Sequence, residues 1–479
     1  MRGYAYARKP AHRRLRARIP PHTSRRAQAR TAGEYVPARP LFSEARSPRL
    51  PTLTQTQRNM NRLRYLIAAC CLLLTLSSCQ HRKDARTEDP ADLARAIVDE
   101  VRGSVLPFWT DYAPAPDGGF YGTLQRDGTP ETDALRSGVL NARILWSFAA
   151  AARTWNDTLC LRLANRAQRY FIDTFIDPVH GGVYWLVAPD GTVMNGSKYA
   201  YALTYGIYGL AEHYLATGNT ESLDTAFSLF RTLEEKGREP VYDGYTETFT
   251  EDWKPLEQYD KNAPKTMNAH LHVLEAYTLL YQCRPDQTLK ERLERCTRLF
   301  MDTIYDAKRK HFNQYFDNQW HSLMDIDSYG HDVEAGWLLC RAADVLGDPE
   351  LKQRAGRIAL DVTRACLDQG LAPAGYLRYE RNGDKMASRC SWWGQDEMLI
   401  ACINAWQISG DKRFLQDARR IWNFVMQNMK DREFGEWFSD CQNGKPIVNA
   451  HKADMWRCPY HTTRLATEMQ NRLLTHKKN

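Results

Sequence analysis

From Ala91 to the C-terminus, apolar residues recur three and four positions apart, the spacing that gathers them on one face of a helix. Residues 141–153, 158–175, 199–216, 266–282, 287–304, 332–346, 349–369, 396–409 and 412–429 carry this pattern. Little of the chain shows the strict alternation of a strand. Loops of glycine, aspartate and aromatic residues separate the helical stretches: Gly118-Gly119-Phe120-Tyr121-Gly122, Gly181-Gly182-Val183-Tyr184-Trp185, Asp243-Gly244-Tyr245 and Phe434-Gly435-Glu436-Trp437. They recur after alternate helices, as if one helix–loop–helix unit were repeated. Six such pairs over residues 91–475 give about 64 residues per unit, the size of a helical pair in a toroid. The expectation is an all-α fold in one domain spanning residues 91–475.

The first 90 residues follow another pattern. Residues 1–59 hold seven prolines, 14 Lys and Arg, and only Glu34 and Glu44 as acids, a net charge of +12. They lack the apolar residues needed to fold and read as a misassigned or disordered upstream extension. Met60 then opens a basic segment, Asn61-Arg62-Leu63-Arg64, followed by the apolar run 66–76. That run is too short to span a bilayer, which takes about 20 residues, but it suits a signal peptide. It ends in Leu76-Ser77-Ser78-Cys79, which resembles a bacterial lipobox with Cys79 as the lipidated residue. Residues 60–79 are thus expected to be a lipoprotein-type signal peptide and 80–90 a polar tether. The protein would be exported and held at a membrane through its lipid anchor only.

Removing residues 1–59 changes the meaning of the overall charge of +8, because the remaining 420 residues carry a net −4. Nucleic-acid binding is therefore not indicated. Nine cysteines follow Cys79, at 160, 283, 296, 340, 366, 390, 402, 441 and 458, irregularly spaced and without C-x-x-C. This is neither a disulfide framework nor a zinc motif; most are expected to be small buried residues. The aromatic content is high, with 13 Trp and 24 Tyr. Aromatic faces suit carbohydrate, although they also fill helical cores.

Three segments hold candidate chemistry. In Asn268-Ala269-His270-Leu271-His272-Val273-Leu274-Glu275, Asn268, His272 and Glu275 share a helical face and His270 points away. Both histidines could instead cap neighbouring backbone groups. In Tyr329-Gly330-His331-Asp332-Val333-Glu334-Ala335-Gly336-Trp337, His331, Glu334 and Trp337 line one face. Glu334 could orient the imidazole and favour its charged form, or form an ordinary helix-start ion pair. In Pro459-Tyr460-His461, proline suits the first helical position and His461 falls in the first turn. The positive helix end there disfavours imidazolium, leaving a neutral base near pH 7. Trp392-Trp393-Gly394-Gln395-Asp396-Glu397 adds a tryptophan with a carboxylate four residues on, a pairing for a sugar ring and its hydroxyls, or for core packing.

Together these segments resemble the acylglucosamine 2-epimerase superfamily, and most closely the cellobiose 2-epimerases, from about Asp92 to Glu468. The resemblance rests on Asp243-Gly244-Tyr245-x-Glu247-x-Phe249-x-x-Asp252-Trp253, Met267-Asn268-x-His270-Leu271-His272, Tyr329-Gly330-His331-Asp332-x-Glu334, Trp392-Trp393-x-Gln395-x-Glu397 and Pro459-Tyr460-His461. It implies an (α/α)6 barrel. It also implies that His331 and His461 are the general acid/base pair, with Glu334 beside the first. Arg143 matches the active-site arginine and His272 the central histidine. Trp393 and Trp456 match tryptophans that stack on sugar rings; Glu397, Asn268 and Tyr201 match polar groups near the substrate. Asp260 lies where a further sugar contact is expected. One departure is Tyr201-Ala202-Leu203-Thr204-Tyr205, where the family pattern is Tyr-Gly-Gln-Ala-Phe, so the amide at position 203 is lost.

The implied reaction inverts C2 at the reducing end of a β-1,4-linked disaccharide, cellobiose or mannobiose, by proton transfer through a cis-enediolate. No cofactor and no metal are expected. The chain shows no G-x-G-x-x-G after a strand and no P-loop, so nucleotide would at most be regulatory. A monomer is expected. N-Acylglucosamine is the alternative substrate. A glycoside hydrolase built on Glu334, Glu397, Glu247 and Asp260 and a non-catalytic sugar-binding lipoprotein are the rival classes.

Overall fold

The repeat is set at its turns. The computed structural model describes residues 89–256 and 263–475. Four helices end on a left-handed residue, Asn156, Gly218, Gly347 or Gly410. A glycine meets no steric penalty there, and asparagine meets little. Next to the first three stands a side chain that caps the following helix: Asp157 accepts from Leu159 N, Asn219 from Ser222 N and Asp348 from Leu351 N. A two-residue link of this kind reverses the chain at once. It yields pairs of antiparallel helices.

Among the described residues twelve helices build the two rings: α1 (Pro90–Glu100), α2 (Gly138–Trp155), α3 (Thr158–Phe175), α4 (Ala200–Thr217), α5 (Thr220–Thr232), α6 (Met267–Cys283), α7 (Gln287–Leu299), α8 (Tyr329–Leu346), α9 (Pro349–Gly370), α10 (Trp392–Ser409), α11 (Arg413–Phe424) and α12 (Tyr460–Met469). Helix α1 runs on through a wider turn at Val101–Val105 into Leu106–Tyr112. The even-numbered helices form a closed inner ring in which each packs on the next and α12 returns to α2. The odd-numbered helices lie outside. Each of α3, α5, α7, α9 and α11 backs the inner helix before it, whereas α1 backs α12 and closes the circle. This is the (α/α)6 barrel expected.

Burial separates the two rings. Helix α2 buries every residue from Gly138 to Ala152, whereas α3 buries one stripe that includes Leu163, Ala167, Phe171 and Phe175. A helix enclosed on all sides is apolar all round, and a surface helix is apolar on one face. Polar side chains on the inner ring therefore stand out, because each must find a partner.

Outer helices lead into inner ones through long loops at one end of the barrel. There, two- or three-residue strands precede α2, α4, α6, α8 and α10, and each pairs with a strand farther along the chain: Ser137 with Leu186, Lys198 with Phe249, Lys265 with Phe316, Ser328 with Glu380 and Ser391 with Asp440. Ladders this short leave no alternation in the sequence, so they escaped the hydrophobic pattern. Ion pairs lock the same loops: Arg136–Asp117 at 2.6 Å, Lys198–Asp177 at 2.7 Å, Lys265–Glu239 at 3.1 Å and Lys452–Asp431 at 3.1 Å.

Some boundaries differ from those predicted. Asp89 caps α1 by accepting from Ala91 N at 2.9 Å, and Pro90 is the first helical residue, so the helix claims the end of the supposed tether 80–90. Helices α8 and α10 begin at Tyr329 and Trp392, three and four residues before their periodic stretches. Their first turns are buried, which hides the amphipathic signal. The extension 1–59, the signal segment 60–79 with Cys79, and Asp260 lie outside the described residues.

Candidate active site

The inner helices send their polar residues toward the barrel axis, and the centre of that cluster is Arg464 on α12. Its guanidinium donates to Glu275 on α6, to Glu334 on α8 and, at 2.6 Å, to Glu397 on α10. It also meets the Tyr460 hydroxyl, which donates to Glu275. One cation thus ties four of the six inner helices together. All four charged groups are almost fully buried.

A second chain of hydrogen bonds starts at Arg143 on α2. Its Nη2 donates to the hydroxyls of Tyr201 at 2.5 Å and Tyr205 at 2.6 Å, and its Nη1 to the Trp456 carbonyl at 3.2 Å. The Tyr205 hydroxyl lies 3.1 Å from His272 Nε2, and His272 Nδ1 lies 3.0 Å from Glu275 Oε2. In the neutral imidazole, donation runs one way: Arg143 to Tyr205, Tyr205 to His272, and His272 to Glu275. Burial pushes the Glu275 carboxyl up, but Arg464 and His272 outweigh it and hold its pKa at about 2. Glu275 is therefore an ionised acceptor.

His331 and His461 flank one indole. The Trp393 ring centroid is 4.7 Å from His331 and 5.5 Å from His461. His461 Nδ1 is 2.8 Å from Glu397 Oε1. Burial, then the positive charges of Arg464 and Arg143, hold its pKa well below the usual histidine range. The imidazole is thus neutral near pH 7, as expected, although by burial and neighbouring cations more than by the helix end. With Nδ1–H given to Glu397, Nε2 keeps its lone pair. That is the condition of a general base. Burial and the Glu397 charge raise Glu334 to about 7, and burial raises Glu397 to about 7 against the pull of Arg464.

One expectation changes here. Glu334 does not bond His331: one of its oxygens takes Arg464 and the other has no hydrogen-bond partner, while Ser328 Oγ meets His331 Nδ1 at 2.8 Å. One turn of helix was enough for contact, but the guanidinium is the stronger partner. The alternatives left open for the H-x-H pair also separate. His270 satisfies backbone groups, with Nδ1 at 2.7 Å from Thr266 O and Nε2 accepting from Tyr245 N at 2.9 Å. His272 faces the axis.

Trp456 and Asn268 are the remaining predicted residues that the structure describes. Trp456 is exposed, with its ring edge-on to Trp185 at 6.0 Å and to Tyr201 at 6.1 Å. Trp185 in turn stacks on Tyr199 at 3.9 Å, which adds an aromatic wall not singled out from sequence. Asn268 is half-buried and its side-chain oxygen has no partner. Arg464, Tyr205 and Tyr460 also went unassigned. The signal for Arg464 was its place one turn after His461, on the same face.

Two groups of donors approach metal-ligand spacing among the described residues. Glu334, Glu397 and His461 offer atoms within 4.8 Å of one another, but Arg464 already lies on both carboxylates, so a guanidinium supplies the positive charge there. His311, Asp332 and Cys366 form the other group. His311 spends its nitrogens on Asp332 at 2.7 Å and Gln369 at 3.2 Å, fastening the loop before α8. The hydrolase alternative also loses support. Arg464 engages both Glu334 and Glu397, so this pair of the four carboxylates is held as an ion-pair cluster.

Comparison with known proteins shows the family of the chain. Residues 119–464 match the family described as N-acylglucosamine 2-epimerase (GlcNAc 2-epimerase). The chain is 36% identical to a cellobiose 2-epimerase of Bacteroides fragilis over 388 residues, covering 79% of this chain and 98% of that protein. It is 33% identical to a cellobiose 2-epimerase of Ruminococcus albus, covering 78% and 98% of the two chains. The solved cellobiose 2-epimerase of Bacillus thermoamylovorans B4167 superposes with a TM-score of 0.76 at 34% identity, covering 80% of this chain and 99% of that one. The chain belongs to the N-acylglucosamine 2-epimerase family, within its cellobiose 2-epimerase group, and is a carbohydrate epimerase, an isomerase.

Proposed function

We propose that the chain interconverts the C2 epimers of the reducing-end sugar of a β-1,4-linked disaccharide, with His331 and His461 as the two proton-transfer groups. The observation that carries this reading is the placement of both imidazoles around Trp393, with one held neutral beside Glu397. Opening of the sugar ring exposes an aldehyde, which makes the C2 proton acidic. One histidine removes it, giving a cis-enediolate. Arg143 stabilises the oxygen charge, and His272 supports it through Tyr205. Rotation about C2–C3 presents the other face, where the second histidine returns a proton. No oxidation state changes over the cycle.

Trp393, Trp456 and Trp185 offer more stacking surface than one sugar ring uses, which favours a disaccharide over N-acylglucosamine. Cellobiose and β-1,4-mannobiose both fit this reading. Export through the segment 60–79 and anchoring at Cys79 would place the activity outside the cytoplasm. To test the substrate, the enzyme is incubated separately with cellobiose, β-1,4-mannobiose and N-acetylglucosamine in D2O, and deuterium at C2 is followed by NMR. Exchange is expected with one or both disaccharides at unchanged disaccharide mass. Preferential exchange into N-acetylglucosamine overturns the substrate assignment, and release of monosaccharides overturns the reaction.

A further inference from the structure

Nine cysteines are described, all as thiols, and two of them stand directly opposite each other. Cys390 lies on the strand Arg389–Ser391 and Cys441 on Asp440–Gln442, and the ladder pairs them. Trp392 N donates to Ser439 O, and Asn443 N to Ser388 O, on either side of them. Those two bonds bracket the neighbouring pairs, which makes Cys390 and Cys441 the hydrogen-bonded kind of antiparallel pair. Such pairs hold their Cα atoms about 5.5 Å apart, inside the range of about 4.4–6.8 Å that a disulfide spans, and the strands need draw together only slightly to bring the Cβ atoms within the required distance of about 4.5 Å. Directly opposed residues also project to the same face of the sheet. Both side chains are fully buried, beside Tyr376. The thiols act on one another as well: Cys441 is the first cause, and burial the second, that raises the Cys390 thiol above its ordinary range. Among the described residues no other two cysteines are strand partners.

We infer that Cys390 and Cys441 form a disulfide when the chain folds in the presence of an external disulfide donor. In the first step one thiol loses its proton and attacks the donor disulfide, giving a mixed disulfide and one donor thiol. The second thiol then loses its proton and displaces the other donor sulfur. Cys390 and Cys441 are oxidised by two electrons in total, and the donor is reduced to two thiols. Full burial means that exchange takes place while the sheet is assembling, and that the finished bond is shielded from reductants. The bond would join the strand that enters α10 just ahead of Trp392 and Trp393 to the segment that continues toward Trp456 and His461. It closes a loop of roughly 50 residues, a length at which a cross-link restricts the unfolded chain substantially.

The test is cell-free synthesis of the full chain with glutathione disulfide or with dithiothreitol, followed by trapping of free thiols with iodoacetamide. In the oxidised sample a non-reduced peptide map is expected to contain the Cys390 and Cys441 peptides joined to each other. The folded protein should unfold about 5 °C higher than the dithiothreitol sample, a difference that disappears in Cys441→Ala. Alkylation of both residues when the oxidised sample is denatured in iodoacetamide overturns the inference, as does a link from either to another cysteine. The peptide map of the parent chain decides the matter even if the variant fails to fold.

Discussion

Replacing Arg464 with methionine keeps much of the side-chain volume and removes the charge shared by Glu275, Glu334 and Glu397. For Glu275 the effect follows from its pKa, which burial raises but Arg464, His272 and Tyr460 bring down from 4.5 to about 2. That displacement is worth about 3 kcal/mol of stability at neutral pH. A folded pKa below the unfolded one means that this stability is fully present above about pH 4.5 and is lost as the pH falls toward 2. Glu334 and Glu397 behave in the opposite sense. Burial holds both up to about 7 even beside the guanidinium, so their contribution is most favourable below the ordinary carboxylate range and declines as pH rises through 7. Without Arg464 all three carboxyls move upward. The Arg464→Met variant is expected to lose about 3–5 kcal/mol at pH 7.5 and to recover much of that by pH 5.5. Urea unfolding at the two pH values measures this. The acid limb of kcat/KM should also move up by about one pH unit or more, because Arg464 lies 3.4 Å from His461 Nδ1 and is the leading charge that disfavours its imidazolium. A stability within about 1 kcal/mol of the parent at pH 7.5, or a deficit of equal size at both pH values, refutes the assignment of Arg464 as the shared counter-charge.

His331→Ala and His461→Ala should each lower kcat by about 10²–10⁴-fold or more while circular dichroism stays unchanged; near-normal turnover by either removes the two-histidine mechanism. His270→Ala should lower stability by about 2 kcal/mol or more, by orphaning Tyr245 N–H and opening a cavity, yet reduce kcat less than His272→Ala does. The reverse order of kcat losses would contradict the assignment of faces. A Cβ on Gly330 would sit 2.6 Å from Trp393 Cζ3, so Gly330→Ala should displace the indole from its contacts with the two histidines. Its kcat/KM should fall by about 10-fold or more, and unchanged kinetics would show that the ring moves freely. Cys79→Ser, in a chain started at Met60, should abolish incorporation of labelled fatty acid; labelling that persists would place the lipid elsewhere.

The twelve-helix count could be read from sequence because the outer helices repeat one apolar stripe, as in Leu163, Ala167 and Phe171 of α3. Helix α3 even starts and stops where its periodicity does. Starts were harder to place on the inner ring, where Tyr329-Gly330 and Trp392-Trp393 sit in buried first turns and carry no polar face to mark the edge. The histidines were visible because imidazoles amid helical apolar residues are conspicuous. Arg464 was not, since an arginine near a chain end reads as solvated surface until three carboxylates from other helices arrive around it. The Ser328–His331 contact was hidden for a related reason: Glu334 offered a charged partner at the same helical distance, and only the position of Arg464 shows that it is already engaged.

The closure of the outer ring by α1, which backs α12, governs when the enzyme can come into being. His461 and Arg464 lie on the last helix of the inner ring, and the element that covers that helix from outside is the first one made. A chain emerging from the ribosome or from a translocation channel must therefore keep α1 waiting while about 350 further residues arrive, and pairing over such a separation is slow to nucleate. Until then neither the shared cation nor the second histidine is in place. On the proposed mechanism a truncated or half-translocated chain is inert toward sugar, and activity reports that the entire ring has closed.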